Sequence, residues 1–138
     1  MLQSSNHPAA VRSPIHISHL SLTNFRNYEA LELDLKPGVA VIQGANGQGK
    51  SNLLEAVYML AIAKSPRATS DREVIRWQAA REQGYSQGSA TLERGGENLR
   101  IRMDFALNQQ APSDGGPEEA GVRGPGTFTI GKRIRVNG

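Results

Sequence analysis

The sequence predicts an α/β fold in which a strand, a glycine-rich loop and a helix follow one another, with an antiparallel, β-rich part after them. Two observations support this prediction. A glycine-rich stretch at residues 44–51 lies between a short apolar run and an amphipathic segment. Residues 89–107 then alternate apolar and polar side chains on either side of Gly95 and Gly96, which is typical of a β-hairpin.

The first strand is predicted at residues 15–25. Ile15 and Ile17 lie in one phase of the alternation, whereas Leu20 and Leu22 lie in the other. Because successive side chains of a strand point to opposite faces, this change of phase indicates a β-bulge.

Two further strands are predicted before the loop, and two helices after it. Residues 31–35 alternate leucine with acidic residues, as a half-buried strand does. Residues 39–43 are mostly apolar, which predicts a short strand buried on both faces. Residues 50–64 are predicted to form a helix with one apolar face, and residues 71–81 a second, shorter helix. The apolar face of the first helix is expected to comprise Leu53, Leu54, Val57, Leu60 and Ala61.

The start and the late part of the chain differ from the rest in composition. Residues 1–14 are polar and contain two prolines, and they are expected to form a disordered leader. Residues 108–126 are rich in glycine and proline and have no apolar periodicity, which predicts a flexible insert. A second hairpin, with its turn at Gly131 and Lys132, is predicted at residues 127–136.

Composition excludes several classes of protein. The chain has 138 residues, no cysteine and a formal net charge of +3. Without cysteine it can form neither a disulfide framework nor a cysteine-ligated zinc or iron–sulfur site. No apolar run approaches the length that crosses a bilayer, and the first residues lack the apolar segment of a secretory signal. We therefore expect a cytoplasmic protein with no membrane partner, whose mild positive charge is compatible with an anionic partner.

The glycine-rich stretch matches the phosphate-binding loop pattern G-x-x-x-x-G-K-[ST]. Its glycines let the backbone turn tightly and point successive N–H groups at one anion, which also meets the positive end of the following helix. Lys50 supplies a point charge for the β- and γ-phosphates, and the hydroxyl of Ser51 is placed to ligate Mg²⁺. The alternative is a glycine-rich turn with an exposed lysine, but the match lies between a predicted strand and a predicted helix, as phosphate binding requires. The pattern therefore predicts ATP, or another purine nucleoside triphosphate, with Mg²⁺, held by Gly44, Ala45, Asn46, Gly47, Gln48, Gly49, Lys50 and Ser51.

The surroundings of the loop resemble a known family. The segments concerned are LTNFRNY at residues 22–28, the loop itself, NLLEAVY at residues 52–58 and KSPR at residues 64–67. They resemble the RecF family of bacterial DNA replication and repair ATPases, whose head domain is related to those of SMC and Rad50 proteins. The resemblance is close over residues 15–77 and looser in the β-rich remainder, and Pro66 stands where a histidine is more common.

The resemblance implies a P-loop NTPase fold of the ABC type, with residues 15–138 as the N-terminal part of an ATP-binding head that is incomplete at its C-terminus. In this family two heads enclose two ATP molecules in an ATP-dependent homodimer. The Q-loop, signature motif and Walker B carboxylates lie farther along family chains, so no catalytic residue is expected here. The full-length protein is expected to be a weak DNA-dependent ATPase, whereas this segment alone is not expected to be competent.

The resemblance also implies partners and a further site residue. The implied partners are single-stranded or gapped duplex DNA and recombination-mediator proteins, in recombinational repair and the SOS response. Arg26 is placed near the nucleotide phosphates, although a solvent-facing arginine on a hairpin is an equally good interpretation. Two other functions stay open: another SMC- or Rad50-like head, including ABC-type ATPases of bacterial defence systems, and a non-catalytic nucleotide-binding module that switches a partner's conformation.

Residues outside the loop have two interpretations each. The basic residues after the first helix can contact DNA phosphates or form a solvated face with local ion pairs; they are Lys64, Arg67, Arg72, Arg76 and Arg81. A second, weaker basic set comprises Lys132, Arg133 and Arg135. Trp77 and Tyr85 can stack on a base, but buried packing is the favoured interpretation. Asn46 is expected to take a left-handed turn position. His16 and His19 do not share one strand face, which argues against a metal site.

Overall fold

The structure is a computed structural model that describes residues 13–82, 84–109 and 128–137. The predicted disordered leader therefore lies almost wholly outside the described residues, as does most of the predicted flexible insert. The elements in chain order are β1 (His16–Phe25), β2 (Tyr28–Asp34), α1 (Lys50–Ile62), a 3₁₀ turn (Asp71–Val74), α2 (Trp77–Glu82), β3 (Tyr85–Arg94), β4 (Glu97–Gln109) and β5 (Phe128–Asn137).

The five strands form one antiparallel sheet in the order β2-β1-β3-β4-β5. The hairpin predicted from residues 89–107 is confirmed as β3 and β4, with Gly95 and Gly96 at positive φ in the turn. The bulge predicted in the first strand is confirmed too, since the register of β1 against β3 shifts between Ile17 and His19.

The core lies between one face of this sheet and α1. Leu20, Leu22 and Phe25 of β1 are buried there, together with Met103 and Phe105 of β4. Strand alternation directs the residue between Leu20 and Leu22, and the one between Met103 and Phe105, to the opposite face. As a result α1, which begins at the end of the glycine-rich loop, is held against the middle of the sheet.

The buried face of α1 differs from the predicted one. Its buried residues are Leu53, Glu55, Ala56, Met59 and Leu60. Leu54, which was expected in the core, is 63% exposed, and Ala61 is exposed as well. Both lie one position around the helix from the buried stripe, and the sheet covers only that stripe. The helix ends at Ile62, and Ala63 caps it with a left-handed backbone whose N–H donates to the carbonyl of Met59.

The prediction of a buried strand at residues 39–43 is wrong. These residues have no regular secondary structure, and Val39 is 96% exposed. A strand needs a neighbour for its N–H and C=O groups, and in the described part of the chain no strand pairs with this segment. The apolar residues of this segment are therefore neither paired in the sheet nor packed in the core of the described chain.

The second predicted hairpin is also wrong. Residues 128–137 form the single strand β5, which pairs with β4 along its whole length, and Gly131 lies opposite Ala106 in the middle of that ladder. The glycine that suggested a turn is thus an interior strand residue. β5 pairs antiparallel with β4 instead, and β4 extends to Gln109, into the first positions of the predicted insert.

The second predicted helix is divided in two. Ser70 and Glu73 form a capping box that starts the 3₁₀ turn. Ile75 then takes an extended conformation and bridges to Phe25 of β1, which interrupts the helix before α2 begins at Trp77. Among the helices of residues 13–82, 84–109 and 128–137, none has the length and apolar character needed to cross a bilayer.

The solvent face of the β1–β2 hairpin carries a histidine between two carboxylates. Nδ1 of His19 lies 2.7 Å from Oδ1 of Asp34, and its Nε2 lies 2.7 Å from Oε2 of Glu32. Hydrogen bonds to Asp34 and then to Glu32 raise the pKa of His19 above its usual 6.5. The protonated imidazole therefore binds both carboxylates more tightly in the folded chain than in the unfolded one.

We expect this cluster to make stability fall with rising pH. Because the folded pKa of His19 is raised, its contribution is fully present below 6.5 and is lost as the pH rises through the raised value. The effect is small, since the groups are solvent-exposed and screened by salt. Urea unfolding of the wild-type chain and His19→Gln across this range checks it, with His16→Gln as the control. A stability difference between wild type and His19→Gln that is constant with pH would contradict the prediction.

Candidate nucleotide-binding site

The loop of residues 44–49 leads directly into α1. Gly47 and Gly49 have φ values of 81° and 104°, in the left-handed region that glycine adopts without strain. Gly49 is the N-cap of α1; it makes no side-chain capping bond, and the first helical turn contains no acidic residue. The first N–H groups of α1 and the positive end of its dipole are therefore available to an anion.

The lysine of the loop lies across its opening. Nζ of Lys50 donates to the carbonyls of Gly44 and Ala45 at 2.6 and 2.7 Å. Ser51 follows in the first turn of α1 with its side chain exposed. Asn46 does lie in the turn, but its φ is not positive, so the expected left-handed position is wrong. Gly47, the next residue, takes that conformation instead because it has no Cβ to clash.

The β1–β2 turn supports the loop from the side. Nδ2 of Asn27 donates to the carbonyl of Gln48 at 3.3 Å, and the hydroxyl of Tyr28 donates to the carbonyl of Gly49 at 3.1 Å. Oδ1 of Asn27 also accepts a 2.8 Å bond from Nδ2 of Asn52 on α1. Sequence reasoning assigned no role to Asn27 or Tyr28, and the available signal was their position in the segment FRNY.

Arg26 lies in the same turn, but its main partners are Glu55 and Glu73 rather than the loop or the solvent. Its guanidinium forms two bonds with the carboxylate of Glu55, at 2.9 and 2.7 Å, and one with the carbonyl of Glu73 at 2.8 Å. Its backbone takes a φ of 53° and donates to the carbonyl of Val74 at 2.7 Å. Both sequence-based interpretations of Arg26 missed this pairing with a residue on α1.

Glu55 is the centre of this polar cluster. Burial alone raises the pKa of its carboxyl, but hydrogen bonds from Arg26, Ser65 and Arg67 outweigh burial and lower that pKa to about 2. The carboxylate therefore stays ionised at neutral pH. The burial of Glu55 could not be predicted from the sequence, because a helical pattern of apolar neighbours does not show whether an acidic residue among them is buried.

A cleft of about 1090 Å³ opens beside the β1–β2 turn and the first turn of α1. Four arginines line it: Arg26, Arg67, Arg72 and Arg81. Trp77, which was expected to pack in the core, is 68% exposed at this cleft, with the Arg81 guanidinium 5.2 Å from its ring centre. The favoured interpretation of Trp77 is wrong because α2 turns Ala79 toward the core instead.

The basic residues after α1 do not act as one set. Three of them line the cleft, whereas Arg76 lies 3.5 Å from Glu29, and Lys64 lines a separate, smaller cavity. Lys132 of β5 lines that smaller cavity too, where Nζ lies 3.1 Å from Oδ2 of Asp71. The Arg76–Glu29 pair joins residues distant in sequence rather than neighbours on one helix, so the interpretation of a helix face with local pairs is wrong for Arg76.

Comparison with known proteins assigns the chain to a family. Residues 16–114, well over half of the chain, match the RecF/RecN/SMC N terminal domain. The chain belongs to this family. Its resemblance to RecF is confirmed by curated relatives. It is 39% identical over 106 residues to the DNA replication and repair protein RecF of Chloroflexus aurantiacus, covering 75% of this chain and 26% of that protein. It is 43% identical over 90 residues to the RecF of Bacillus thuringiensis, covering 65% of this chain and 23% of that protein.

A solved structure shows the same fold. The structure of the recombination mediator protein RecF with ATP in the RecFOR pathway superposes with a TM-score of 0.60 at 24% identity. The superposition covers 86% of this chain and 28% of that one. The predicted ABC-type head with an antiparallel β-rich part is thus confirmed, and this RecF-family chain spans about a quarter of the length of its curated relatives.

Proposed function

We propose that the chain binds ATP together with Mg²⁺ at residues 44–51, as the nucleotide-binding part of a RecF-type DNA replication and repair protein. The observation that supports this most is the start of α1. Its N-terminal end has neither a capping side chain nor an acidic residue, and two left-handed glycines and a lysine surround it. Such an end attracts an anion, and phosphate is the anion that this loop pattern fits.

Lys50 is set up to exchange one set of partners for another. Its ammonium now bonds two carbonyls of the loop, which are neutral acceptors. Phosphate oxygens are stronger acceptors because their hydrogen bonds with a cation are charge-assisted. The lysine therefore moves to a bound phosphate without leaving a buried charge unpaired, and the loop keeps the shape that Asn27 and Tyr28 give it.

The arginine-lined cleft is suited to the rest of the nucleotide. It adjoins the loop through Asn27, which contacts both Gln48 and Asn52. A nucleotide whose phosphates occupy the loop can extend its sugar and base along α1 into this space, which is of the size that small-molecule sites have. Trp77 then offers a ring face to the base, so the stacking interpretation of this residue is part of the proposal.

The names of the relatives support the wider role. The curated relatives are DNA replication and repair proteins, and the solved RecF carries ATP. We therefore extend the proposal to a cytoplasmic protein that binds single-stranded or gapped DNA and recombination-mediator proteins. An ATP-dependent homodimer and a weak DNA-dependent ATPase activity of the full-length protein belong to the same proposal.

Ser51→Ala tests the nucleotide site through its metal. With Mg²⁺ present, we expect the affinity for ATP to fall about tenfold, because the hydroxyl is a Mg²⁺ ligand. With the metal chelated, the affinity of the variant is expected to equal that of the wild type, since Ser51 is exposed and supports nothing else in the loop. Calorimetric titration in the two conditions measures both values. Equal losses with and without Mg²⁺ would show that Ser51 acts through the loop backbone and would remove it from the proposed site.

A further inference from the structure

Glu55 is a buried charge on the helix that carries the phosphate loop. The residue is 2% exposed, and it is the one ionisable residue among the buried residues of the described chain. It lies on the face of α1 that otherwise buries Leu53, Ala56 and Met59. Removing a carboxylate from water costs several kcal/mol, which its partners must offset, and an apolar residue would pack here without that cost.

The partners of Glu55 come from segments before and after α1 in the chain. Arg26 reaches it from the β1–β2 turn with a two-pronged contact, and Arg67 reaches it from the segment after α1. The hydroxyl of Ser65 donates to the same carboxylate and also accepts the N–H groups of Arg67 and Ala68. One carboxylate thus joins two segments that are otherwise 41 residues apart in the chain.

Both arginines also line the cleft beside the loop, and a chain of hydrogen bonds connects them to it. The Arg67 guanidinium donates to Oδ1 of Asn52 at 2.7 Å. Asn52 donates to Asn27, which in turn donates to the carbonyl of Gln48 in the loop. Every bond in this chain has a defined donor and acceptor, so the position of Arg67 and the shape of the loop depend on each other.

We propose that Glu55 is a positioning residue of the nucleotide site, which fixes the guanidinium groups of Arg26 and Arg67 at one wall of the cleft so that they meet the ligand already oriented. The inference rests on the proposed function. Two guanidinium groups against one carboxylate leave a net charge of about +1, so the wall still attracts an anion while its geometry is fixed. Arg67 keeps 47% of its side chain exposed and can reach a ligand without breaking its bond to Glu55.

This role and simple electrostatics predict opposite results for Glu55→Gln. The substitution keeps the shape of the side chain and removes its negative charge, which raises the net charge of the wall. If charge alone governed binding, the affinity for ATP would rise. If Glu55 acts by orientation, the affinity falls, and we expect a loss of about tenfold, which is the scale of one charge-assisted bond that is no longer aligned.

The experiment is a set of ATP–Mg²⁺ titrations at a temperature at which circular dichroism shows every variant folded. It uses the wild-type chain, Glu55→Gln, Arg67→Ala, the double variant and Glu97→Gln, whose carboxylate is exposed at the distant β3–β4 turn. We expect wild-type affinity for Glu97→Gln and a loss for each variant of the cluster. The loss in the double variant should be smaller than the sum of the two single losses, because part of the effect of Glu55 acts through Arg67 and the rest through Arg26.

The outcomes separate the inference from the function on which it rests. Failure of the wild-type chain to bind ATP would overturn the proposed function. Binding by the wild type, with equal or higher affinity for Glu55→Gln or additive losses in the double variant, would overturn the positioning role alone. If Glu55→Gln does not fold, Arg67→Ala tests the same contact from its exposed side, and an unchanged affinity there would also overturn the proposal.

Discussion

Lys50→Ala is expected to abolish detectable ATP binding while leaving the fold intact. The ammonium makes two hydrogen bonds to the loop, and both are available to phosphate oxygens. Hydrogen bonds to charged groups contribute about 1.5–3 kcal/mol each, so losing two weakens binding about a hundredfold or more. The side chain is only half-buried, and alanine is a good helix former, so stability should change little.

Titration with ATP and Mg²⁺, with far-ultraviolet circular dichroism as the folding control, measures this effect. Lys36→Ala is the matched control, since it removes the same charge from an exposed turn before the loop. Wild-type affinity in Lys50→Ala would remove the phosphate-loop assignment itself.

Gly49→Ala is expected to destabilise the chain and to abolish nucleotide binding together. Gly49 has a φ of 104°, where a Cβ is strained. A Cβ at this position would lie 2.6 Å from Nδ2 of Asn27 and 2.9 Å from the hydroxyl of Tyr28. Those two side chains hold the loop carbonyls, so relieving the clash moves the support of the loop. Strain and overpacking together are expected to cost about 2–4 kcal/mol of unfolding free energy.

Gly96→Ala separates backbone strain from the clash with neighbouring side chains. Gly96 in the β3–β4 turn also has a positive φ, of 87°, but a Cβ there would meet nothing within 4 Å. It should therefore show only the cost of backbone strain and bind ATP normally. Urea unfolding gives the stability of both variants, and titration gives their affinity. Equal stability losses in the two variants, with ATP binding kept in Gly49→Ala, would show that the contact with Asn27 and Tyr28 does not matter.

Much of the fold could be predicted from local patterns. Alternation found β1 with its bulge and the β3–β4 hairpin, because a strand with one buried face records that burial in every second residue. The predictions failed where the conformation of a segment depends on a partner elsewhere in the chain. Residues 39–43 have the composition of a strand but pair with no strand of the described chain. Gly131 was expected in a turn but pairs with Ala106 inside the β4–β5 ladder. Local composition does not show which strand, if any, will pair with a segment.

The candidate site divides in the same way. The phosphate loop was predictable because its chemistry is contained in eight consecutive residues. The pairing of Arg26 with Glu55 was not, since it joins two elements that only the tertiary fold brings together. The roles of Asn27 and Tyr28 were missed for the same reason, although both lie in the segment that carries the family resemblance.

The phosphate loop is anchored firmly at one end and weakly at the other. Tyr28 and α1 fix it at Gly49, whereas among the described residues its start is held by the Lys50 ammonium, for which a ligand competes. Residues 39–43, which lead into it, pair with no described strand. Ordering each backbone residue costs about 1–2 kcal/mol, and that entropy is subtracted from the affinity of whatever binds. We therefore expect phosphate binding at the loop and the ordering of residues 39–43 to favour each other, because each lowers the ordering cost of the other.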